Sequence, residues 1–160
     1  MAAKKKAAGK KRVGKKTASR RRPAGGRRPV AELRGLQLRS AEPSLTVNDI
    51  ERSLAWYRDV LGFSVGEQHV RDGKLMGVEL AAGDVHFWLG QDDWQKGRDR
   101  KKGEGFRIYG ETRQDVDLLA ERVQAAGGTL EQEPHDVPWG GRAFSVVDPD
   151  GFRITISRSA

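Results

Sequence analysis

LTVNDIERSLAWYRDVLGFSV, residues 45–65, passes from strand to helix and back to strand within 21 residues. Residues 44–47 read as a short strand, and Asn48 or Asp49 offers a side-chain oxygen to cap the helix that follows. Ile50, Leu54, Tyr57 and Leu61 then recur at helical spacing, and Gly62 stops the run. Runs at 63–70, 75–80 and 85–89 read as three strands, the last two joined by the turn Ala81-Ala82-Gly83-Asp84. The order is βαβββ.

The same order returns after a polar loop at 91–104. Residues 106–109 read as a short strand, and Val116, Leu119, Ala120 and Val123 mark a second helix that ends at Gly127 and Gly128. Strands follow at 129–133, 142–147 and 152–157. The last pair is joined by Asp148-Pro149-Asp150-Gly151, a hairpin device in which Gly151 supplies positive φ and to which no chemistry is assigned. The opening strands at Ser44 and Phe106 stand 62 residues apart, and the helix-ending Gly62 and Gly127 stand 65 apart. A duplicated unit is the simplest account. The expected fold class is therefore α+β, with two tandem βαβββ modules at about 41–90 and 105–158 making one domain, 41–158.

Upstream of this domain the composition changes. The chain of 160 residues carries a formal net charge of +8. Residues 1–30 hold 13 basic side chains and no acidic one, whereas residues 31–160 hold 17 basic and 22 acidic, a net of −5. Residues 1–29, a Lys/Arg/Ala/Gly segment with Val13 as its only large aliphatic residue after Met1, cannot bury enough apolar surface to offset chain entropy. Residues 1–35 are thus expected to be a disordered tail. Its cations Lys4, Lys5, Lys6, Lys10, Lys11, Arg12, Lys15, Lys16, Arg20, Arg21 and Arg22 suit non-specific, salt-sensitive contact with nucleic acid through counterion release. No aromatic residue interleaves them, so base readout is not expected. A purely solubilising extension is the plainer alternative.

Composition also excludes chemistry. The sequence has no cysteine, hence no disulfide framework, no thiolate nucleophile and no cysteine-based zinc or iron–sulfur centre. No apolar run approaches the roughly 20 residues of a membrane span, and no signal-peptide pattern is visible, so a soluble cytoplasmic protein is expected, with no membrane partner. No glycine-rich phosphate loop and no Ser/His/Asp order appears.

The duplicated order, the segment quoted first and PWGGRAFSVVDPDGFRITIS at 138–157 together resemble the vicinal oxygen chelate superfamily, which includes glyoxalase I, extradiol dioxygenases, fosfomycin-resistance and bleomycin-binding proteins. The resemblance spans about 41–158. It implies two curled sheets around a concave cavity and, for a small member, a homodimer. Enzymes of the family hold a divalent metal at four positions, which the resemblance carries onto Glu42, His86, Phe106 (give or take one residue) and Thr155. Phenylalanine cannot ligate and threonine is a poor ligand, so Glu42 and His86 remain as the only candidates, short of the donors a stable centre needs. No metal cofactor is therefore expected, with a divalent ion on Glu42 and His86 as the alternative.

Without a metal, binding is the more economical function. Alternation puts His86 and Trp88 on one strand face, and with Phe106 and Thr155 they would line the cavity. The end of the chain is especially similar to bleomycin-binding proteins, in which a drug is sequestered in aromatic grooves at the dimer interface, and Trp139 and Arg142 are the matching positions. The expected ligand-binding residues are thus Glu42, His86, Trp88, Phe106, Trp139, Arg142 and Thr155. A small, partly aromatic or antibiotic-like molecule is the expected partner. A glyoxalase-like lyase, isomerase or dioxygenase is the alternative, with Glu42 and His86 as an acid/base pair. Trp56, Tyr57, Phe63, Phe144 and Phe152 are expected in the core, Trp94 in a charged loop, and His135 in an exposed turn.

Overall fold

The computed structural model of the chain describes residue 36 and residues 38–159. The expectations for the tail, its disorder and its nucleic-acid-binding cations, fall on residues 1–35 and so lie outside the described residues. The elements run β1 (Ser44–Val47), α1 (Ile50–Trp56), β2 (Ser64–Arg71), β3 (Lys74–Ala82), β4 (Val85–Gln91), β5 (Arg107–Glu111), α2 (Val116–Ala125), β6 (Leu130–Asp136), β7 (Arg142–Val147) and β8 (Arg153–Arg158). This is βαβββ twice. The first module makes a sheet of order β1-β4-β3-β2 and the second a sheet of order β5-β8-β7-β6. In each, the opening strand runs parallel to the last and the remaining pairs are antiparallel.

Local signals explain the elements. Asp49 caps α1 by accepting the backbone N–H of Arg52, and Asp115 caps α2 by accepting those of Asp117 and Leu118. The spacing of Ile50, Leu54, Tyr57 and Leu61 predicts one uniform helix to Leu61. Instead α1 ends at Trp56, and Tyr57–Leu61 widens into a π-helical turn closed by Gly62 at φ 80°. The wider turn keeps both Tyr57 and Val60 buried. β6 runs through Pro134 and His135, where the sequence suggested a turn. It is an edge strand, so a residue without an N–H costs it no ladder bond on the outer side. His135 is exposed, as expected, but on a strand.

One core joins the modules. Leu45, Val47, Phe87 and Leu89 from the first sheet meet Phe144, Val146 and Ile154 from the second, with Ile50, Leu54, Val116, Ala120 and Val123 of the two helices between them. Tyr57 stands at the centre, its ring edge-on to those of Trp56, Phe63 and Phe87 at 5.0–5.7 Å. Its hydroxyl donates to Asp148 Oδ2 at 2.9 Å. Asp150, two residues on, accepts the backbone N–H of Asn48 at 2.8 Å and the hydroxyl of Ser53 at 3.0 Å. The Asp148–Gly151 turn therefore does more than close a hairpin: it fastens the second module to the first helix. Burial raises the Asp148 carboxyl above its ordinary range, opposed by the N–H of Phe152 and the Tyr57 hydroxyl.

The loop between β4 and β5 is pinned at Asp92. Its carboxylate accepts from Lys102 Nζ, from the N–H of Trp94 at 2.9 Å and from Arg100 at 3.0 Å. The Lys102 and Asp92 side chains are both buried. Gly103 then passes so close to the turn of the last hairpin that a β-carbon would lie 2.2 Å from the Gly151 carbonyl oxygen, and its φ is 68°. Only glycine fits there.

Candidate functional site

Each sheet turns one face to the shared core and leaves the other open. On the first sheet, Phe87 and Leu89 point inward, which puts His86 and Trp88 on the open face. Register sets Trp88 beside Ser44 and Glu79, and His86 beside Ala81, so Glu79 and His86 are diagonal neighbours. His86 Nδ1 lies 2.9 Å from Glu79 Oε1. An ionised carboxylate only accepts, so Nδ1 carries the proton and a neutral His86 keeps Nε2 as a free acceptor. That hydrogen bond, followed by one from the N–H of Glu67, lowers the Glu79 pKa below its ordinary value. Gly66 makes room, since a β-carbon there would meet Glu79 Oε2 at 2.3 Å. Trp88 donates its indole N–H to Glu42 Oε2 at 3.1 Å and stacks on His69 with ring centres 5.1 Å apart.

On the second sheet, Ile108, Ile154 and Ile156 pack toward the core, leaving Arg107, Tyr109 and Thr155 on the open face. The floor is a chain of hydroxyls. Arg107 Nη1 donates to Thr155 Oγ1 at 3.0 Å, Thr155 lies 2.9 Å from Ser145 Oγ, and Ser145 donates to Gln132 Oε1 at 3.3 Å. A guanidinium can only donate and an amide oxygen can only accept, so the Thr155 proton points to Ser145. Both hydroxyls are buried. Above them Tyr109 is 69% exposed and Trp139 72% exposed, and the two, with Thr155 and Ser157, border a cavity of about 440 Å³.

The motif around Trp139 explains its position. Gly140 and Gly141 take φ 94° and 93°, the N–H of Gly140 reaches the Val137 carbonyl at 3.0 Å, and a β-carbon on Gly141 would lie 2.1 Å from the carbonyl oxygen of Arg158. Two left-handed glycines thus make a tight turn against β8 and leave Trp139 at its apex, in solvent.

Two expected residues stand elsewhere. Phe106 precedes β5, packs edge-on against Phe152 at 6.1 Å, and borders a different cavity with Pro43 and Thr46. Strand β5 begins one residue later, so the face position belongs to Arg107. Arg142 donates to Asp117 at 2.7 and 2.8 Å, to Asp136 at 3.0 Å and to the Pro134 carbonyl at 3.1 Å. Asp117, ahead of Asp136, raises the pKa of Arg142. It is a strut between β7 and α2, not part of the open face. The structure sets Glu42 against Trp88, with His86 on the same strand face, and brings Trp139 and Thr155 to the border of one cavity. Residues not foreseen are Glu79, Tyr109, Ser145 and Gln132, while Arg107 lies within the one-residue allowance given for Phe106. Strand alternation from Thr155 and a one-residue shift of β5 would have found Arg107, Tyr109 and Ser145.

The family metal positions do not form a donor set in this chain. Glu42 is engaged by Trp88, Phe106 lies off the face, and the Thr155 hydroxyl is spent in the floor chain. Among the described residues no group of three or more His, Cys, Asp or Glu side chains is arranged to hold a metal ion.

Residues 39–156 match the description Glyoxalase/Bleomycin resistance protein/Dioxygenase superfamily. Among curated proteins the chain is 29% identical over 114 residues to Lactoylglutathione lyase GLX1 of Arabidopsis thaliana, covering 69% of this chain and 40% of that protein. The chain thus spans less than half the length of that relative. Among solved structures it resembles a superfamily member from Sphaerobacter thermophilus DSM 20745 at 27% identity and TM-score 0.64, covering 78% of this chain and 100% of that one. TnmS3, described as an antibiotic binding protein from Streptomyces sp. CB03234, shares the fold at 22% identity and TM-score 0.62, covering 79% of this chain and 100% of that one.

Proposed function

The chain belongs to the glyoxalase/bleomycin resistance protein/dioxygenase superfamily, and we propose that within it this protein captures a flat, partly aromatic or antibiotic-like small molecule without a metal cofactor. One observation carries the proposal: Tyr109 and Trp139, both exposed, stand over the buried Thr155–Ser145 floor beside a cavity of about 440 Å³. Two exposed aromatic rings offer stacking area, and the hydroxyl floor with Arg107 offers a few fixed polar groups, the usual composition of a ligand pocket. The first sheet adds a second aromatic surface, with Trp88 and His69 stacked and Glu42 and His86 beside them. The antibiotic-binding description of TnmS3 agrees in kind.

Each face forms one wall, and a homodimer that brings two such faces together would close the pocket. The proposal includes that dimer and places it in the cytoplasm, where a chain without cysteine needs no oxidising compartment. Among the described residues no helix is long and apolar enough to cross a membrane.

Two other readings have specific support. The likeness to a lactoylglutathione lyase, together with Glu42 and His86 on one face, supports a metal-dependent lyase or dioxygenase. The 13 cations of residues 1–30 support non-specific nucleic-acid contact through the tail, added to the function of the domain. For the latter, the full chain and a chain lacking residues 1–30 are compared on duplex DNA at rising salt. Retention of the full chain alone, lost with salt, is expected, and equal behaviour of both would dismiss it.

The small-molecule reading is tested by a thermal-shift screen of metal-stripped protein against planar aromatic antibiotics and simpler aromatic acids. At least one class should raise the melting temperature, and Trp139→Ala should reduce that rise. A flat response across the panel counts against the proposal.

A further inference from the structure

A second, larger cleft of about 690 Å³ lies between the modules on the other side of β5 from the Trp139 cavity. Alternation along β8 divides the two: Thr155 and Ser157 border the first, Ile156 the second. Its walls are apolar. Leu61 and Phe63, at the end of the widened first helix, face Leu119 of α2, with Phe144 and Ile156 of the second sheet beneath. Leu61, Phe63, Leu119 and Ile156 are only partly buried, so the core opens here instead of closing. Filled with water alone, this space would set those side chains against roughly 20 water volumes.

The rim carries charge. Arg113 and Arg122 stand at the mouth, and neither has a carboxylate partner among the described residues. Arg122 spends one N–H on the Leu61 carbonyl at 3.0 Å, which fixes the guanidinium at the cleft and leaves its other donors open. Of the rim carboxylates, Glu111 accepts from the Ser159 hydroxyl and Asp84 sits exposed on the β3–β4 turn. An apolar chamber whose mouth carries two guanidiniums without a carboxylate partner among the described residues complements a molecule with an apolar body and an anionic head.

We propose that this cleft is a second ligand site, separate from the sheet faces, which takes an amphipathic organic anion with its body between Leu119 and Phe144 and its head at Arg113 and Arg122. The probe is 8-anilinonaphthalene-1-sulfonate, an aromatic sulfonate whose fluorescence rises in apolar surroundings, with decanoate as competitor, on the full chain. Saturable binding displaced by decanoate is expected. Replacing both arginines, Arg113→Gln with Arg122→Gln, should weaken it about tenfold, and Leu119→Trp, which intrudes on the space between Leu119 and Phe144, should weaken it as well. Near-ultraviolet circular dichroism of each variant reports whether it is folded, and the arginine pair, exposed on the surface, carries the test if Leu119→Trp is not. An affinity unchanged by the arginine replacements would overturn the proposal. So would loss of dye binding in Trp139→Ala, which would assign the dye to the sheet face, or an affinity that falls as protein concentration rises, which would assign the cleft to a second copy of the chain.

Discussion

Trp139 and Tyr57 are the two residues on which most depends, for opposite reasons. Trp139 is exposed and held at the apex of its turn by two glycines, so Trp139→Ala should leave the melting temperature nearly unchanged while weakening ligand binding about tenfold, as read by titration calorimetry with a ligand from the screen. Tyr57 is fully buried, and its hydroxyl is one of few donors to the Asp148 carboxyl. Tyr57→Phe keeps the ring but leaves Asp148 short of a partner, a loss of about 1–3 kcal/mol in urea unfolding at neutral pH. The hydrogen bond favours the ionised carboxyl, so the loss should shrink as pH falls and Asp148 takes up a proton. An equal loss at pH 4 and pH 7 would show that the ring and not the hydroxyl was disturbed. Both residues were visible in the sequence, Trp139 through its WGG context and Tyr57 through its helical spacing. The partnership of Tyr57 with Asp148 was not, because 91 residues separate them and no local pattern encodes the docking of one module on the other.

The inter-module loop makes its own predictions. Lys102 first, then the N–H of Trp94, together with Arg100, hold the Asp92 carboxyl down to about 2, against an ordinary 3.8. The folded pKa lies below the unfolded one, so this contribution is whole above about pH 4 and is lost as pH falls toward 2. Melting temperatures between pH 5 and pH 2 should fall less steeply in Asp92→Asn, from a lower starting value, than in the parent chain; parallel curves would remove Asp92 from the acid response. Gly103→Ala should cost about 2 kcal/mol or more, since the new β-carbon meets the Gly151 backbone at a left-handed φ. At this scale, the element order and the two hairpins β3–β4 and β7–β8 followed from period and turn chemistry, with Arg142–Val147 read to the residue, whereas the parallel pairs β1–β4 and β5–β8 did not. The π-helical turn after Trp56 and the extension of β6 through Pro134 were not legible, because tertiary burial of Tyr57 and the edge position of β6 decide them. The one-residue shift of β5 mattered most, since it replaced Phe106 with Arg107 on the open face.

Over the whole domain, the duplicated modules meet through one core and leave two open sheet faces, each with an aromatic pair and a small set of polar groups. In the proposed function the binding rests on aromatic rings and hydroxyls, while the positions onto which the family resemblance carries metal ligands hold Glu42, His86, Phe106 and Thr155. The most direct measurement is a tryptophan-fluorescence titration of chelator-treated full chain with the aromatic ligand found by the thermal screen, repeated after manganese, nickel or zinc is restored. The same saturable quenching with and without metal, weakened in Trp139→Ala, is the predicted result. Binding or turnover that arises only once metal is restored would contradict it and return Glu42 and His86 to the role of ligands.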